Sequence, residues 1–166
     1  ASDVYKRQAR IPPSYGFTPQ NHVKLDALQV QTGMTAPDYS LLTLNSTNAT
    51  SLSSLLASRP VFMQFGSYTR PPFQRNLNAT KALRAKYGSK FEFLLVYVVD
   101  PHPLAPDISP YKGIPWELSY SKYHQPLTME ERMANAGHVT VDGVFDTVMV
   151  DDLQPLLAQS NTVWCS

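Results

Sequence analysis

The feature that most constrains the fold is a short apolar run that ends in a turn and is followed by two prolines. Residues 61–65 read Val-Phe-Met-Gln-Phe, and Gly66 and Ser67 then interrupt the run. A run this short and this rich in β-forming residues is typical of a strand, which we expect to be central and covered on both faces. Pro71 and Pro72 lack the N–H that a helix interior requires, so they fit only the first turn of a helix. The pattern predicts a strand, a tight turn and a helix.

The helix after this turn is predicted to run from Pro72 to Tyr87, with Gly88 as its C-cap. Its inward-facing positions are expected to include Phe73, Leu77, Ala82 and Leu83. In α/β proteins, ligands bind and chemistry occurs where a central strand passes into a helix. The turn between the strand and this helix is therefore the candidate functional site.

A second strand is predicted over residues 91–99, which are almost continuously apolar, β-branched or aromatic. It ends at Asp100, and a long proline-rich loop follows from His102 to Gln125. A strand–helix–strand unit of this length implies a parallel pair with a right-handed crossover. The sequence therefore predicts an α/β fold.

Shorter patterns predict the elements before the first strand. Tyr39 and Leu41 alternate as they would on one face of an edge strand. Residues 51–58 have the spacing of a short amphipathic helix, whose inward face would carry leucines. These leucines are Leu52, Leu55 and Leu56.

Three further elements are predicted after the long loop. Residues 128–137 begin like a capping box and end in glycine, which is typical of a helix. Residues 139–142 form a short β-prone run. The apolar side chains of residues 145–158 have helical spacing, which predicts a last helix before a strand-like run near Trp164.

The composition excludes several classes of function. With 14 basic and 13 acidic residues, the net charge of +1 gives no field that would attract nucleic acid or a membrane surface. No apolar run reaches the roughly 20 residues of a membrane span. The single cysteine, Cys165, cannot form an internal disulfide, and we expect it to be a small buried hydrophobic side chain. No metal site is expected, because His22, His124 and His138 lack ligand spacing.

The chain is predicted to contain one domain with an N-terminal addition. We expect residues 1–10 to be a leader outside the fold, residues 11–32 an extension, and residues 33–166 the domain. The strand-like run at residues 162–166 stops without a turn, so we expect the chain to be part of a longer protein. The compartment stays open, with a soluble cytoplasmic protein favoured. Sequons at Asn45, Asn48 and Asn78 would permit glycosylation if the protein were secreted.

Several short motifs and the order of the elements resemble one known family. The motifs are Phe65-Gly66-Ser67, Thr69, Pro71-Pro72-Phe73, and Tyr97 with His102-Pro103. Together with the order of elements over residues 33–166, they resemble the iodothyronine deiodinase family. The resemblance implies a thioredoxin-like fold, with a central mixed sheet flanked by helices. It also implies that a closing hairpin and a final helix would lie beyond Ser166.

The resemblance also implies a set of site residues. The family's reactive selenocysteine or cysteine falls at Arg70, its histidine at His102, and the second of its two acidic residues at Asp100, while the first is Val99. The residues expected to line the site are Ser67, Tyr68, Thr69, Pro71 and Tyr97. The family draws its electrons from an external thiol, so no bound cofactor is expected.

Arg70 is the departure from the family pattern that matters most. A guanidinium can neither attack as a soft nucleophile nor cycle between redox states, and at a helix N-terminus a cation is disfavoured by roughly 0.3–1 kcal/mol. Three interpretations stay open. Arg70 extends into water, it pairs with Asp100 or with an anionic ligand, or it reflects a sequencing error, since selenocysteine and cysteine codons each lie one base from an arginine codon.

Two hypotheses of function follow from this departure. The first is a deiodinase-like oxidoreductase homologue whose family reaction is thiol-dependent reductive dehalogenation, and which is redox-inactive because of Arg70. The alternative is a non-redox module that binds a small anion or metabolite in the same cleft, with Arg70 and His102 reading the anion. The partners left open are a small-molecule ligand, a thiol reductant and a second copy of the chain.

Overall fold

The computed structural model describes residues 33–44, 46–104, 107, 123–139 and 143–151. Five strands and three helices lie in this part of the chain. They are β1 (Ser40–Thr43), β2 (Ala49–Ser51), α1 (Leu52–Leu56), β3 (Val61–Gly66), α2 (Pro71–Tyr87), β4 (Glu92–Tyr97), α3 (Met129–Gly137) and β5 (Thr147–Val150). The predicted leader, the extension and the C-terminal run near Trp164 lie outside the described residues.

The strands form one mixed sheet in the order β2-β1-β5-β4-β3. The predicted parallel pairing of β3 with β4 is confirmed, β5 is parallel to β4, and β1 is antiparallel to both β5 and β2. A five-stranded mixed sheet flanked by helices confirms the α/β prediction and is consistent with a thioredoxin-like fold. Within the described helices, none is long and apolar enough to cross a bilayer.

The prediction that residues 61–65 form a central strand is wrong for the described sheet, where β3 is an edge strand. Its neighbour β4 is an interior strand, and the residues of β4 from Phe93 to Tyr97 are at most 1% exposed, whereas the side chains of β3 before Gly66 are only half-buried. The more continuous apolar run of β4 suits burial on both faces, while β3 carries Gln64 in its middle. The turn therefore follows a strand at the edge of the described sheet.

Two other strand assignments also need correction. Residues 147–150, predicted as helix, form strand β5, because Val148, Met149 and Val150 are buried between β4 and β1. A short apolar run can satisfy both periods, and the neighbouring strands decide between them. Strand β1, predicted at an edge, lies between β2 and β5. Of the predicted strand 139–142, Val139 lies in a turn and the other residues are outside the described part.

Helices cover both faces of the sheet. On one face, α2 and α3 contribute Phe73 and Ala136 to a core with alternate residues of β4 and β5, while on the other α1 contributes Leu52. Ala82 and Leu83, predicted inward on α2, are exposed, and so is Leu56 on α1. With a rotation of 100° per residue, three other positions lie on the same face of α2 as the buried Phe73. These are Leu77, Thr80 and Tyr87.

The close contact between β3 and α2 depends on the absence of a side chain at Gly66. A Cβ placed on Gly66 would overlap the ring of Phe73, which is 2% exposed. Gly66 pairs with Tyr97 of β4, and Tyr97 pairs with Val150 of β5, so the carboxyl ends of three parallel strands lie side by side. The turn that follows Gly66 is therefore held directly beside the end of β4.

We expect Gly66→Ala to lower the free energy of unfolding by about 1–3 kcal/mol, the usual cost of forcing a methyl group into a packed core. Urea denaturation of wild type and variant measures the difference. Gly137→Ala is the matched control, because a Cβ there meets nothing within 4 Å, and a helical glycine replaced by alanine gains up to about 1 kcal/mol. Equal stability of Gly66→Ala and wild type would show that the ring of Phe73 moves aside freely.

Candidate functional site

The turn between β3 and α2 is closed by its own hydrogen bonds. The N–H of Arg70 donates to the carbonyl of Ser67 at 3.1 Å, and the amide of Gln74 donates from the side chain to the carbonyl of Tyr68 at 2.7 Å. Arg70 is the N-cap of α2, with extended backbone and no side-chain cap bond, and Pro71 begins the helix. The local sequence thus fixes residue 70 at the N-terminal end of a 17-residue helix.

A buried carboxylate lies beside this turn. Asp100, which follows β4 and is 1% exposed, accepts the hydroxyl hydrogen of Tyr97, whose oxygen is 2.8 Å from Oδ1 and 3.0 Å from Oδ2. The hydroxyl of Thr69 donates to Oδ1 at 3.2 Å. The N–H of Tyr68 in turn donates to the Tyr97 hydroxyl at 3.4 Å. Asp100 and Tyr97 therefore join the end of β4 to the turn.

The hydroxyl of Thr69 connects the turn to the predicted histidine. Its oxygen accepts the backbone N–H of His102 at 3.3 Å while its hydrogen points to Asp100. Thr69 is fully buried. The same is true of Ser67, whose Oγ has no hydrogen-bond partner within the described residues. The structure therefore brings the predicted residues of the turn together with Asp100 and His102.

Burial dominates the electrostatics of this cluster. It raises the pKa of Asp100 above its usual value, and the donated hydrogen bonds of Tyr97 and Asn135 and the charge of Arg132 only partly oppose it. Burial, and then the neighbouring Asp100 charge, raise the pKa of Tyr97 well above its ordinary range. A carboxyl group whose pKa is raised is suited to take up or release a proton.

Arg70 and His102 lie close enough to influence each other. Burial lowers the pKa of His102, and the positive charge of Arg70 lowers it further. The contacts that Asp100 accepts come from Tyr97, Thr69 and Asn135. The half-buried Arg70 therefore adds positive potential beside a histidine that is kept largely neutral at pH 7.

Helix α3 supplies contacts that the sequence analysis missed. The Nδ2 of Asn135 donates to Oδ2 of Asp100 at 3.3 Å, and Arg132, 2% exposed, lies near enough for its charge to act on the same carboxylate. The helix begins at Thr128, whose Oγ1 accepts the N–H of Glu131, as the capping box predicted. Arg132 and Asn135 are three residues apart and therefore share one helix face. Two polar residues on the buried face of a helix are the pattern in the sequence that could have indicated them as site residues.

An aromatic cluster borders the turn on the same side as α3. The ring of Tyr68 meets that of Tyr123 edge-on at 4.8 Å, and Tyr123 stacks on His138 at 4.2 Å. Ring contacts of this geometry are each worth about 0.5–1.5 kcal/mol. Tyr68 thereby connects the turn to the end of the long loop and to the end of α3.

The acidic and histidine side chains of the described residues are spread over the structure. In this part of the chain, no three His, Cys, Asp or Glu side chains gather as ligands would. His124 instead contacts Asp107, with 3.1 Å between Nδ1 and Oδ2, and His138 stacks on Tyr123. Cys165 and His22 lie outside the described residues.

Comparisons with known proteins agree on one family. A family model described as iodothyronine deiodinase matches residues 14–162. The type II iodothyronine deiodinase of Rattus norvegicus is 47% identical over 47 residues, which cover 28% of this chain and 18% of the rat protein. That of Aquarana catesbeiana is 33% identical over 106 residues, covering 55% and 40%. The thyroxine 5-deiodinase of Sparus aurata is 27% identical over 134 residues, covering 78% and 47%. The matches span less than half the length of these relatives.

We expect Tyr97→Phe to destabilise the protein by about 1–3 kcal/mol at neutral pH, because the buried Asp100 carboxylate loses its closest donor. The hydrogen bond favours the ionised carboxyl, so the loss should shrink as the pH falls through the pKa of Asp100. Urea denaturation at neutral and acid pH measures both. Tyr87→Phe, on the half-exposed end of α2, is the control. A pH-independent loss in Tyr97→Phe would contradict the assignment.

Proposed function

Because the chain belongs to the iodothyronine deiodinase family, we propose that the turn between β3 and α2 is a deiodinase-type reductive site in which Arg70 stands at the reactive position. The observation that carries the proposal is the place of Arg70 as the N-cap of α2, immediately before two prolines. In the family pattern, the selenocysteine or cysteine lies between the threonine and the first of these prolines. The site would then be retained without its reactive atom.

The hydrogen bonds around residue 70 support a retained site. Asp100 is buried with three donors, and Thr69 is oriented between Asp100 and His102. Burying a carboxylate is costly, and hydrogen bonds offset that cost only in part, as the raised pKa of Asp100 indicates. A turn between a strand and a helix can form without a buried, hydrogen-bonded carboxylate beside it. The presence of this cluster therefore supports a retained site.

The side chain at residue 70 determines whether the site can catalyse reductive dehalogenation. A thiolate or selenolate at a helix N-terminus is stabilised by the helix dipole, attacks as a soft nucleophile and is regenerated by an external thiol. A guanidinium has none of these properties. We infer that the chain, with Arg70, does not catalyse thiol-dependent reductive dehalogenation, and that its family reaction needs a chalcogen restored at that position.

A second candidate function rests on the neighbouring charges. Arg70 lies near enough to His102 to lower the pKa of that histidine. Arg70 is the N-cap of α2, and the backbone N–H of His102 donates to Thr69, the residue before it. A small anion or an anionic metabolite would be attracted to this position by the arginine and by the helix dipole together. In this hypothesis the chain is a non-redox binding module that uses the same cleft.

We expect Arg70→Cys to release iodide from thyroxine in the presence of a dithiol at least about tenfold faster than wild type, since a cysteine at a helix N-terminus is a thiolate nucleophile. Iodide release at fixed dithiol concentration is the measurement. Arg70→Ser is the matched control, because serine has the shape of cysteine without its redox chemistry. Turnover by wild type at the rate of the cysteine variant would show that residue 70 is not the reactive position.

For the second candidate, inorganic phosphate should raise the melting temperature of wild type more than that of Arg70→Ala, because a ligand stabilises only the state that binds it. Arg75→Ala is the control, since Arg75 is exposed on the same helix. Thermal unfolding over a phosphate series measures the shifts. Equal shifts in the three proteins would reject an anion site at Arg70.

A further inference from the structure

Asn135 occupies a position where an asparagine is unfavourable on local grounds. It lies within α3, on the buried face that also carries Arg132 and Ala136. Asparagine is a poorer helix former than alanine by roughly 0.5 kcal/mol, and a buried amide costs more unless its polar atoms are paired. Asn135 is 9% exposed. Its contacts must therefore account for its presence in the helix.

The side-chain nitrogen of Asn135 donates two hydrogen bonds, one to the carboxylate of Asp100 and one to the end of the long loop. Nδ2 donates to Oδ2 of Asp100 at 3.3 Å and to the backbone carbonyl of His124 at 3.1 Å. An amide nitrogen carries two hydrogens, and both are used here. The same side chain thus holds the buried carboxylate beside the turn and the end of the long loop.

We propose that Asn135 is a positioning residue that fixes the Asp100 carboxylate towards Thr69 and couples it to the segment Tyr123–Gln125. The proposal rests on the proposed function, in which Asp100 belongs to the site. Asn135 touches no reacting atom in this scheme and acts only through Asp100.

The hydrogen bonds on the two carboxylate oxygens explain why a third donor matters. Oδ1 accepts from Thr69 and Tyr97, and Oδ2 accepts from Tyr97 and Asn135. Without Asn135, Oδ2 loses one of these two donors, and the other, the hydroxyl of Tyr97, is shared with Oδ1. Rotation about the terminal bond of an aspartate is soft, so the plane of the carboxylate would then be poorly fixed.

The segment Tyr123–Gln125 is held in place by hydrogen bonds of its own. Oδ2 of Asp107 accepts the N–H of Gln125 at 2.7 Å and contacts the ring of His124, and the N–H of Leu104 donates to the carbonyl of Tyr123 at 2.7 Å. Asn135 therefore connects the carboxylate to a segment with fixed contacts. Among the titratable and charged groups that act on Asp100 are Tyr97 from β4 and Arg132 from α3.

The test uses Asn135→Leu, which keeps the branched shape of the side chain, is somewhat larger and has no hydrogen-bonding group, and Asn135→Ala as a second variant should the leucine not fold. Carboxyl-carbon NMR titration measures the pKa of Asp100, identified by comparison with Asp100→Asn. Loss of a donor that favours the ionised form should shift this pKa upward. Hydrogen exchange of the Leu104 amide should become faster, because the segment that holds its acceptor is released.

The control is Asn78→Ala, an exposed asparagine on α2, which should change neither the pKa of Asp100 nor the exchange of Leu104. A lower stability without a shift in the pKa would mean that Asn135 only stabilises the helix packing, and would overturn the proposal. An unchanged pKa with faster exchange at Leu104 would overturn it as well, since the carboxylate would not depend on the amide.

A second measurement separates this proposal from the proposed function. In the Arg70→Cys background, Asn135→Leu should lower iodide release about tenfold, the ratio expected for one hydrogen bond to a charged group, and move the acid limb of the pH profile upward. If Arg70→Cys is inactive, the proposed function fails, while the NMR titration in the wild-type background still decides the role of Asn135.

Discussion

The arrangement of this site depends on burying one carboxylate, Asp100, where three parts of the chain meet. The carboxylate follows β4, accepts from Thr69 in the turn and accepts from Asn135 in α3. Because an unpaired buried charge is very costly, each donor lowers the cost of keeping the carboxylate buried. The positions of the turn and of α3 relative to β4 are therefore linked through a single group. Its raised pKa shows that the donors offset the cost of burial only in part.

Backbone packing and strand register bring these parts within reach of one another. The bare Cα of Gly66 lets the ring of Phe73 lie against β3, so α2 begins close to the sheet. The parallel register then places Gly66 beside Tyr97. Since parallel strands end at one edge of a sheet, the turn after β3 and the residues after β4 become neighbours. The position of the site therefore depends on Gly66, on the register of β3 with β4 and on the carboxylate of Asp100.

Local signals made the strand, the turn and the start of α2 predictable, because prolines and glycines act within a few residues. The order of the strands depends on distant neighbours, which explains why β3 was assigned to the centre and residues 147–150 to a helix. Helix geometry could have corrected part of the inward face of α2, since Ala82 lies on the side of the helix opposite Phe73 at 100° per residue. Asn135 was missed because its partner, Asp100, lies 35 residues away in the sequence.

The double proline at the start of α2 has a consequence for any charged atom at residue 70. Prolines at the first two helical positions remove two of the amide donors that usually bind anions at such an end, and Phe73 is the first helical residue with an N–H. The dipole of the helix still acts through space. A chalcogenide here would be stabilised by the field and would have two amide donors fewer around it, which leaves its lone pairs freer to attack. An oxyanion would depend on the N–H of Phe73 and on side chains. The two prolines thus weaken hydrogen bonding to residue 70 at an end of the helix that still carries positive potential.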